Sequence, residues 1–428
     1  AAWLLSEGEN LFGGNRFAIG GESAGANLAA SVLLRLRGRL SELDWAAWQA
    51  VLQPYRSLAQ DDAQQLFKDA QLQIARFTGF GGSLDDLAVR LGRAGAGWAL
   101  SLDSQTLKGQ VRLPDADTSP IAVSLDYLRL PPAEPKTAVA VDKPDPLQNL
   151  DPRQIPALDV RVDRVLQGEE LLGAWSLKAR PSPSGVRFDD LRLQLKGLQL
   201  DGSAGWEGAP GASASWYKGR LQGRDLAKVL LAWGYAPTAS SERFRLDVDG
   251  RWPGSPAWAS LKRFSGSMDA VLRKGQFAEV QGSASALRVF GLLNFNSIGR
   301  RLRLDFSDLL GKGLSYDRVK GLLAATDGVF VTREPITLTG PSSNLELDGT
   351  LNMVNQQIDA KLLVTLPVTN NLPLAALIVG APAIGGALFV VDKLLGDRVA
   401  RFASVQYDVE GDLADPKITF DKPFEKPQ

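Results

Sequence analysis

The sequence predicts a mainly β fold with a few helices, arranged as a mostly antiparallel sheet with one apolar face. Three observations predict it: short runs in which apolar and polar residues alternate, turn-forming residues between those runs, and a composition of 43 Gly and 10 Trp but only 2 Met in 428 residues. Alternation has the two-residue period of a strand that buries one face. Gly, Pro, Asn and Asp at the ends of such runs mark the turns between strands.

The amino end carries a different signal. Within Arg16–Arg37 the sequence Gly21-Glu22-Ser23-Ala24-Gly25 follows a short apolar run and precedes a helical pattern. This is the strand, turn and helix context of a nucleophile elbow. Residues 1–37 thereby resemble the hormone-sensitive-lipase-like branch of the α/β-hydrolases, with Glu22 and Ala26 in place of the usual Asp and Gly. The resemblance would make Ser23 a nucleophile, but a serine needs a base to take its proton and the chain has no histidine. The HGGG oxyanion loop is missing too.

From Gly38 onward the pattern changes. Ser41 is placed to cap a helix reaching about Leu58, with Leu43, Trp45, Trp48, Val51 and Leu52 on its apolar side, and a second helical stretch is expected over Asp61–Gln71. Strand runs then dominate, among them LSLDSQTLKGQVRL, IAVSLDYLRL, LDVRVDRV, LRLQLKGLQLDG, RFRLDVDGRW, RRLRLDF, GVFVT, PITLTG, NLELDGTLNM and QIDAKLLVTL. Pro131, Pro132, Pro135, Pro144, Pro146, Pro152 and Pro156 make an extended surface loop of residues 131–156. Two more helices are expected, over Asp225–Tyr235 and Ala284–Phe295.

On these strands Leu191, Leu193 and Leu195 point one way and Arg192, Gln194 and Lys196 the other. Leu302, Leu304 and Phe306 oppose Arg301, Arg303 and Asp305, and Leu345 and Leu347 oppose Glu346 and Asp348. A sandwich or barrel would cover the apolar side, whereas an open trough would leave it to a ligand.

Residues 372–391, LPLAALIVGAPAIGGALFVV, carry no charge. The length suits a membrane-spanning helix, but Pro373, Pro382, Gly380, Gly385 and Gly386 break it and Lys393 and Arg398 follow. The readings are a helical hairpin over residues 372–396 that touches a bilayer or plugs an apolar cavity, a buried core hairpin, or a true span.

Composition narrows the function classes. Lys+Arg and Asp+Glu are both 48, and no basic cluster interleaved with aromatics is evident, so nucleic acid is not an expected partner. The lack of Cys and His removes thiol chemistry, the usual general base and the commonest metal ligand. No cofactor and no metal site is expected. The chain starts Ala1-Ala2-Trp3 with no signal-peptide pattern, so any targeting or anchoring segment would lie upstream.

GRLSELDWAAWQAVL, DPRQIPALDVRVDRV, GRDLAKVLLAWGY and the span from FSGSMDAVLRKGQF to YDVEGDLADPKITF resemble the YhdP branch of the AsmA-like proteins of Gram-negative bacteria. The resemblance runs from about Gly38 to Gln428. It implies an elongated, twisted antiparallel β-groove of AsmA-like repeats, with repeats at 38–130 and 157–262 and an AsmA-like carboxyl-terminal region at 263–428. It also implies a non-enzymatic scaffold in the periplasm, tethered to the inner membrane by an upstream segment, with the carboxyl end toward the outer membrane. Phospholipids would be its cargo and the two membranes its partners. Groove-lining candidates are Leu191, Leu193, Leu195, Leu302, Leu304 and Phe306, with Val329, Val331, Leu345, Leu347, Leu362 and Val364. Candidates for membrane contact are Leu374, Leu377, Ile378, Ile384, Leu388 and Phe389. The alternatives are a serine esterase acting through Ser23 and a structural envelope-assembly protein.

Overall fold

The computed structural model describes residues 18–20, 34–45, 47, 67–79, 82–116, 118–132, 144–233, 237–278, 313–341, 344–368, 389–395, 398–413 and 416–420. Among these, strands dominate. The chain forms two compact units: Ala1–Lys136 with Asp151–Leu193, and Thr137–Leu150 with Gln194–Gln428.

The first unit contains β1 (Ala18–Gly20), β2 (Leu34–Asp44), β3 (Phe67–Gly79), β4 (Gly82–Arg93), β5 (Gly97–Asp103), β6 (Leu107–Pro114), β7 (Ile121–Leu130), β8 (Leu158–Gln167) and β9 (Glu170–Ser182). β10 (Gly185–Leu195), whose paired part ends at Leu193, completes it. Neighbours in sequence pair antiparallel, except that β2–β3 and β7–β8 are parallel. A parallel pair needs a long crossover, and the proline-rich residues 131–156 supply the second one.

The second unit contains β11 (Leu198–Ala209), β12 (Ala212–Arg224), helix α1 (Leu226–Ala232), β13 (Ala239–Pro253), β14 (Ser265–Ala278), β15 (Gly313–Thr326), β16 (Val329–Thr339), β17 (Asn344–Asn352) and β18 (Gln357–Val368). β19 (Phe389–Leu395), β20 (Arg398–Asp412) and β21 (Lys417–Phe420) follow. Each strand from β11 to β18 pairs antiparallel with the next; β20 then takes β18, β19 and β21. Asp327 and Gly328, with φ of 47° and 80°, make the tight β15–β16 turn. Positive φ at both central positions matches the strand twist, which is why Asp-Gly suits a hairpin.

Several expected helices are strands. Leu34–Asp44 is β2, so the helical patterns drawn over Leu34–Arg37 and from Ser41 both fail there. Asp44 is the cap instead: Ala47 donates its backbone N–H to Asp44 Oδ1 at 3.2 Å. Phe67–Gln71 belongs to β3, not to a helix over Asp61–Gln71. Tertiary pairing of β2 with β3 outweighs the weak local capping signal. Phe389–Leu395 is likewise a strand rather than part of a helical segment over 372–396, because Val390 and Val391 suit the pleat and Arg398–Ser404 pairs with it. GVFVT and PITLTG merge into β16, whose register shifts between Val331 and Ile336. Pro335 lies inside that irregularity, where a missing N–H breaks no ladder bond.

The helix expected over Asp225–Tyr235 forms as α1, with Lys228 donating its N–H to Asp225 Oδ1 at 3.2 Å. Ser23, Ala284–Phe295, Leu302, Leu304, Phe306, Leu374, Leu377, Ile378, Ile384 and Leu388 lie outside the described residues. Among the described residues no helix is long and apolar enough to cross a membrane.

Candidate functional site: a continuous apolar sheet face

Directly paired residues in a sheet project from the same face, so the strand register shows which side chains form a surface. In the second unit one register row runs Leu198, Gly223, Phe244, Leu272, Val319, Leu338, Leu345, Val364, Val405, crossing β11 to β18 and ending on β20. Every position is apolar. Another runs Ala204, Tyr217, Gly250, Gly266, Ala325, Phe330, Leu351, Ile358, Gly411 over the same strands, again with no charge. At about 4.8 Å per strand, each row tracks on the order of 40 Å of sheet.

The first unit repeats the pattern independently. Gly38, Leu72, Val89, Leu102, Gly109, Leu125, Val162, Trp175 and Leu193 form one row from β2 to β10. Leu40, Ile74 and Leu87 are its buried nucleus at one end, and Val162, Val165 and Leu172 at the other.

The predicted lining residues divide by face. Leu345, Leu347, Leu362 and Val364 are buried neighbours on one face, with Leu347 paired to Leu362 and Leu345 to Val364. Leu191 is buried and Leu193 and Leu195 half-buried; Leu193 pairs with Trp175 on the apolar face of the first unit. Val329 and Val331 flank Phe330, which pairs with Leu351, so both project from the opposite face and Val331 is 45% exposed. A fully apolar run such as Val-Phe-Val carries no parity, and only the register assigns its faces. Phe389 pairs with Ser404 in the sheet.

Residues absent from the sequence-based selection complete the face. Phe264 lies where a Cβ on Gly250 would stand, 2.0 Å from its Cε2, and stacks on Phe330 at 5.8 Å. Tyr217 Oη donates to the carbonyls of Asp201 (2.8 Å) and Arg220 (3.2 Å). Burial pushes the Tyr217 hydroxyl pKa well up and, on the opposite face, that of Tyr316 up to about 12. These groups are structural donors. The opposite face carries ion pairs instead: Lys218–Asp249, Arg220–Asp247 and Arg245–Asp247.

A buried carboxylate holds the carboxyl end of the proline-rich loop. Asp145 accepts from Ser255 N (2.7 Å), Ser255 Oγ (2.6 Å) and Leu147 N (3.0 Å). Burial alone would raise its pKa, but the hydrogen bonds from Ser255 and Leu147 and the nearby Arg263 outweigh burial and hold it below the ordinary value. The residues about Asp145 are therefore anchored, a feature invisible in a proline count.

The chemistry this arrangement offers is solvation of apolar matter. Among the described residues no cluster suits a metal ion.

The family model described as "YhdP protein" matches residues 2–418, including the amino-terminal stretch with the hydrolase-like turn. The chain is also similar to the "Intermembrane phospholipid transporter YhdP" of Escherichia coli (strain K12), 26% identical over 221 residues. That match covers 52% of this chain and 17% of the transporter. No solved structure matches the chain.

Proposed function

Because the chain belongs to the YhdP family, we propose that it is a section of a non-enzymatic phospholipid conduit of the Gram-negative envelope, working in the periplasm between inner and outer membranes. The observation that carries this is the unbroken apolar row from Leu198 to Val405, with ion pairs on the reverse of the same strands. Acyl chains lie against the apolar face while headgroups stay in water. Each methylene kept from water is worth about 0.8 kcal/mol, so a lined path removes most of the barrier to moving a lipid through an aqueous space. An acyl chain spans about half of the roughly 30 Å hydrocarbon core of a bilayer, so one row accommodates more than one chain end to end. Tethering upstream and a carboxyl end toward the outer membrane complete the proposal.

Within it, Leu191, Leu193, Leu195, Leu345, Leu347, Leu362 and Val364 belong to the lining, joined by Leu302, Leu304 and Phe306. Leu374, Leu377, Ile378, Ile384, Leu388 and Phe389 make the membrane-side contact. Selectivity among lipids is low, because apolar burial is non-directional. No reaction is assigned to Ser23, since none of the 428 residues is a histidine.

The test is a photo-crosslinking amino acid placed at Leu246, which pairs with Ala270 beside the Phe244 row, and at Lys218 on the opposite face. Lipid adducts from Leu246 and none from Lys218, read by mass spectrometry of protein purified from envelopes, are expected. Equal yields at both positions, or none at Leu246, refute the conduit.

A further inference from the structure

On the face of β12–β15 opposite the apolar row, Arg224 stands across from Arg243, Arg243 from Arg273, and Arg273 from Arg318. Directly opposed side chains in a sheet lie about 5 Å apart at Cβ. Four guanidiniums, none able to shed its proton, therefore succeed one another across four adjacent strands. All four side chains are exposed.

Among the described residues most other cations of that face are neutralised, Arg251 being an exception. Lys218 pairs with Asp249, Arg220 and Arg245 share Asp247, and Lys320 pairs with Glu334. The four arginines of the row, among the described residues, have no carboxylate partner. Nor does either flank supply one: the adjacent row is Gln222, Arg245, Val271, Lys320, and the other is Ser241, Gly275, Tyr316. Like charges set directly opposite destabilise a sheet. A chain with 48 basic and 48 acidic residues had the means to alternate them here, as it does one or two rows away.

The four arginines, with Arg245, Gln199 and Gln222, line an open cavity of about 720 Å³ that Gly223, Phe244 and Val271 also border. We propose that this row binds a phosphate-bearing anion. A guanidinium offers two parallel N–H donors to two phosphate oxygens, and a phosphate or diphosphate supplies enough acceptors for several such forks at once. The glutamine amides add neutral donors, and the opening admits a headgroup still attached to its lipid. The four arginines project from the reverse of the apolar face, and the proposal does not depend on the conduit reading.

Two probes separate the sources of such a phosphate. The full chain is titrated calorimetrically with pyrophosphate, and its flotation is measured with phosphatidylglycerol vesicles against phosphatidylcholine vesicles. Arg243→Gln with Arg273→Gln is expected to weaken binding at least tenfold and flatten its salt dependence, with Lys218→Gln unchanged. Arg243→Lys with Arg273→Lys keeps the charge but loses the forks, and falls between. The thermal midpoint of the double Gln variant is expected to stay level or rise, because repulsion is relieved, so lost binding is not lost folding. Pyrophosphate binding that displaces no vesicles assigns a soluble anion; vesicle binding that pyrophosphate abolishes assigns a headgroup. The proposal falls if neither probe binds the wild-type chain, if the double Gln variant binds as wild type, or if polyglutamate binds as tightly as pyrophosphate.

Discussion

The same apolar row is half-buried at Leu198, Phe244, Leu272 and Val319, yet buried at Leu338, Leu345 and Val364, with 5%, 6% and 3% exposure. Both stretches alternate in sequence and share one face, so alternation cannot be the cause. The difference follows from what stands beside each residue. In β11–β15 the face is thinned by Gly202, Gly219, Gly223, Gly250, Gly266 and Gly321, whereas in β16–β18 Gly349 is the one glycine among the described face positions. Where Leu, Ile, Val and Phe fill every site, they cover one another and the surface behaves as a core. In the glycine-bearing stretch Leu198, Phe244, Leu272 and Val319 stay half-buried, while Trp206, Tyr217 and Val248 of the same strands are buried. The contrast separates a closely packed stretch of the face from a half-open one.

The largest effect is expected in the filled stretch. Leu347→Asp places an unpaired charge at a site that is 6% exposed. A loss on the order of 4 kcal/mol or more is expected, seen as a collapsed urea midpoint. A wild-type midpoint would mean that this stretch is open after all.

Gly250→Val attacks the glycine-bearing stretch at the point where Phe264 links it to Phe330 of β16. The new side chain meets the Phe264 ring, whose Cε2 lies 2.0 Å from the position of a Cβ. Displacing the ring disturbs its stack on Phe330 and is expected to cost about 1–3 kcal/mol. Phe264→Ala in the same chain should make room for the valine, so the two substitutions together should cost less than their sum.

Asp145→Asn tests the loop tether beside the thinned stretch, with an expected cost of about 1–3 kcal/mol at neutral pH. Because the folded pKa of Asp145 is depressed, its stabilisation is present above the ordinary carboxylate value and is lost as pH falls through the folded value. The gap between wild type and variant in a melting series should therefore narrow on acidification. A gap that widens in acid would contradict the assignment.

Leu246→Asp is expected to have the smallest effect on stability, about 1 kcal/mol, because a half-buried side chain can lift its charge to water. Its effect on lipid crosslinking should nonetheless be large. If Leu246→Asp unfolds the chain as Leu347→Asp does, the distinction between the stretches disappears.

Much of the sheet was legible from alternation. The runs in β5–β8, β10, β13, β17 and β18 are strands whose apolar residues recur at every second position along part of each run. The failures at Leu34–Asp44 and Phe67–Gln71 came where a short helix-like pattern stood next to a long-range pairing partner. Pairing between distant segments leaves no local trace.

By itself the sequence determined the β class, the one-sided apolar character of most strands and, through 428 residues without His or Cys, the absence of thiol and imidazole chemistry. These are properties of single residues and of a two-residue period. Only the tertiary structure decided which rows join into a face, that Val329 and Val331 turn away from it, and that Leu345 is buried while Leu272 is half-open. It also decided that Arg224, Arg243, Arg273 and Arg318, scattered over four strands, stand side by side. The physical reason is that a strand's own pattern sets the parity of its side chains, whereas register between strands sets their neighbours, and neighbours set burial and charge.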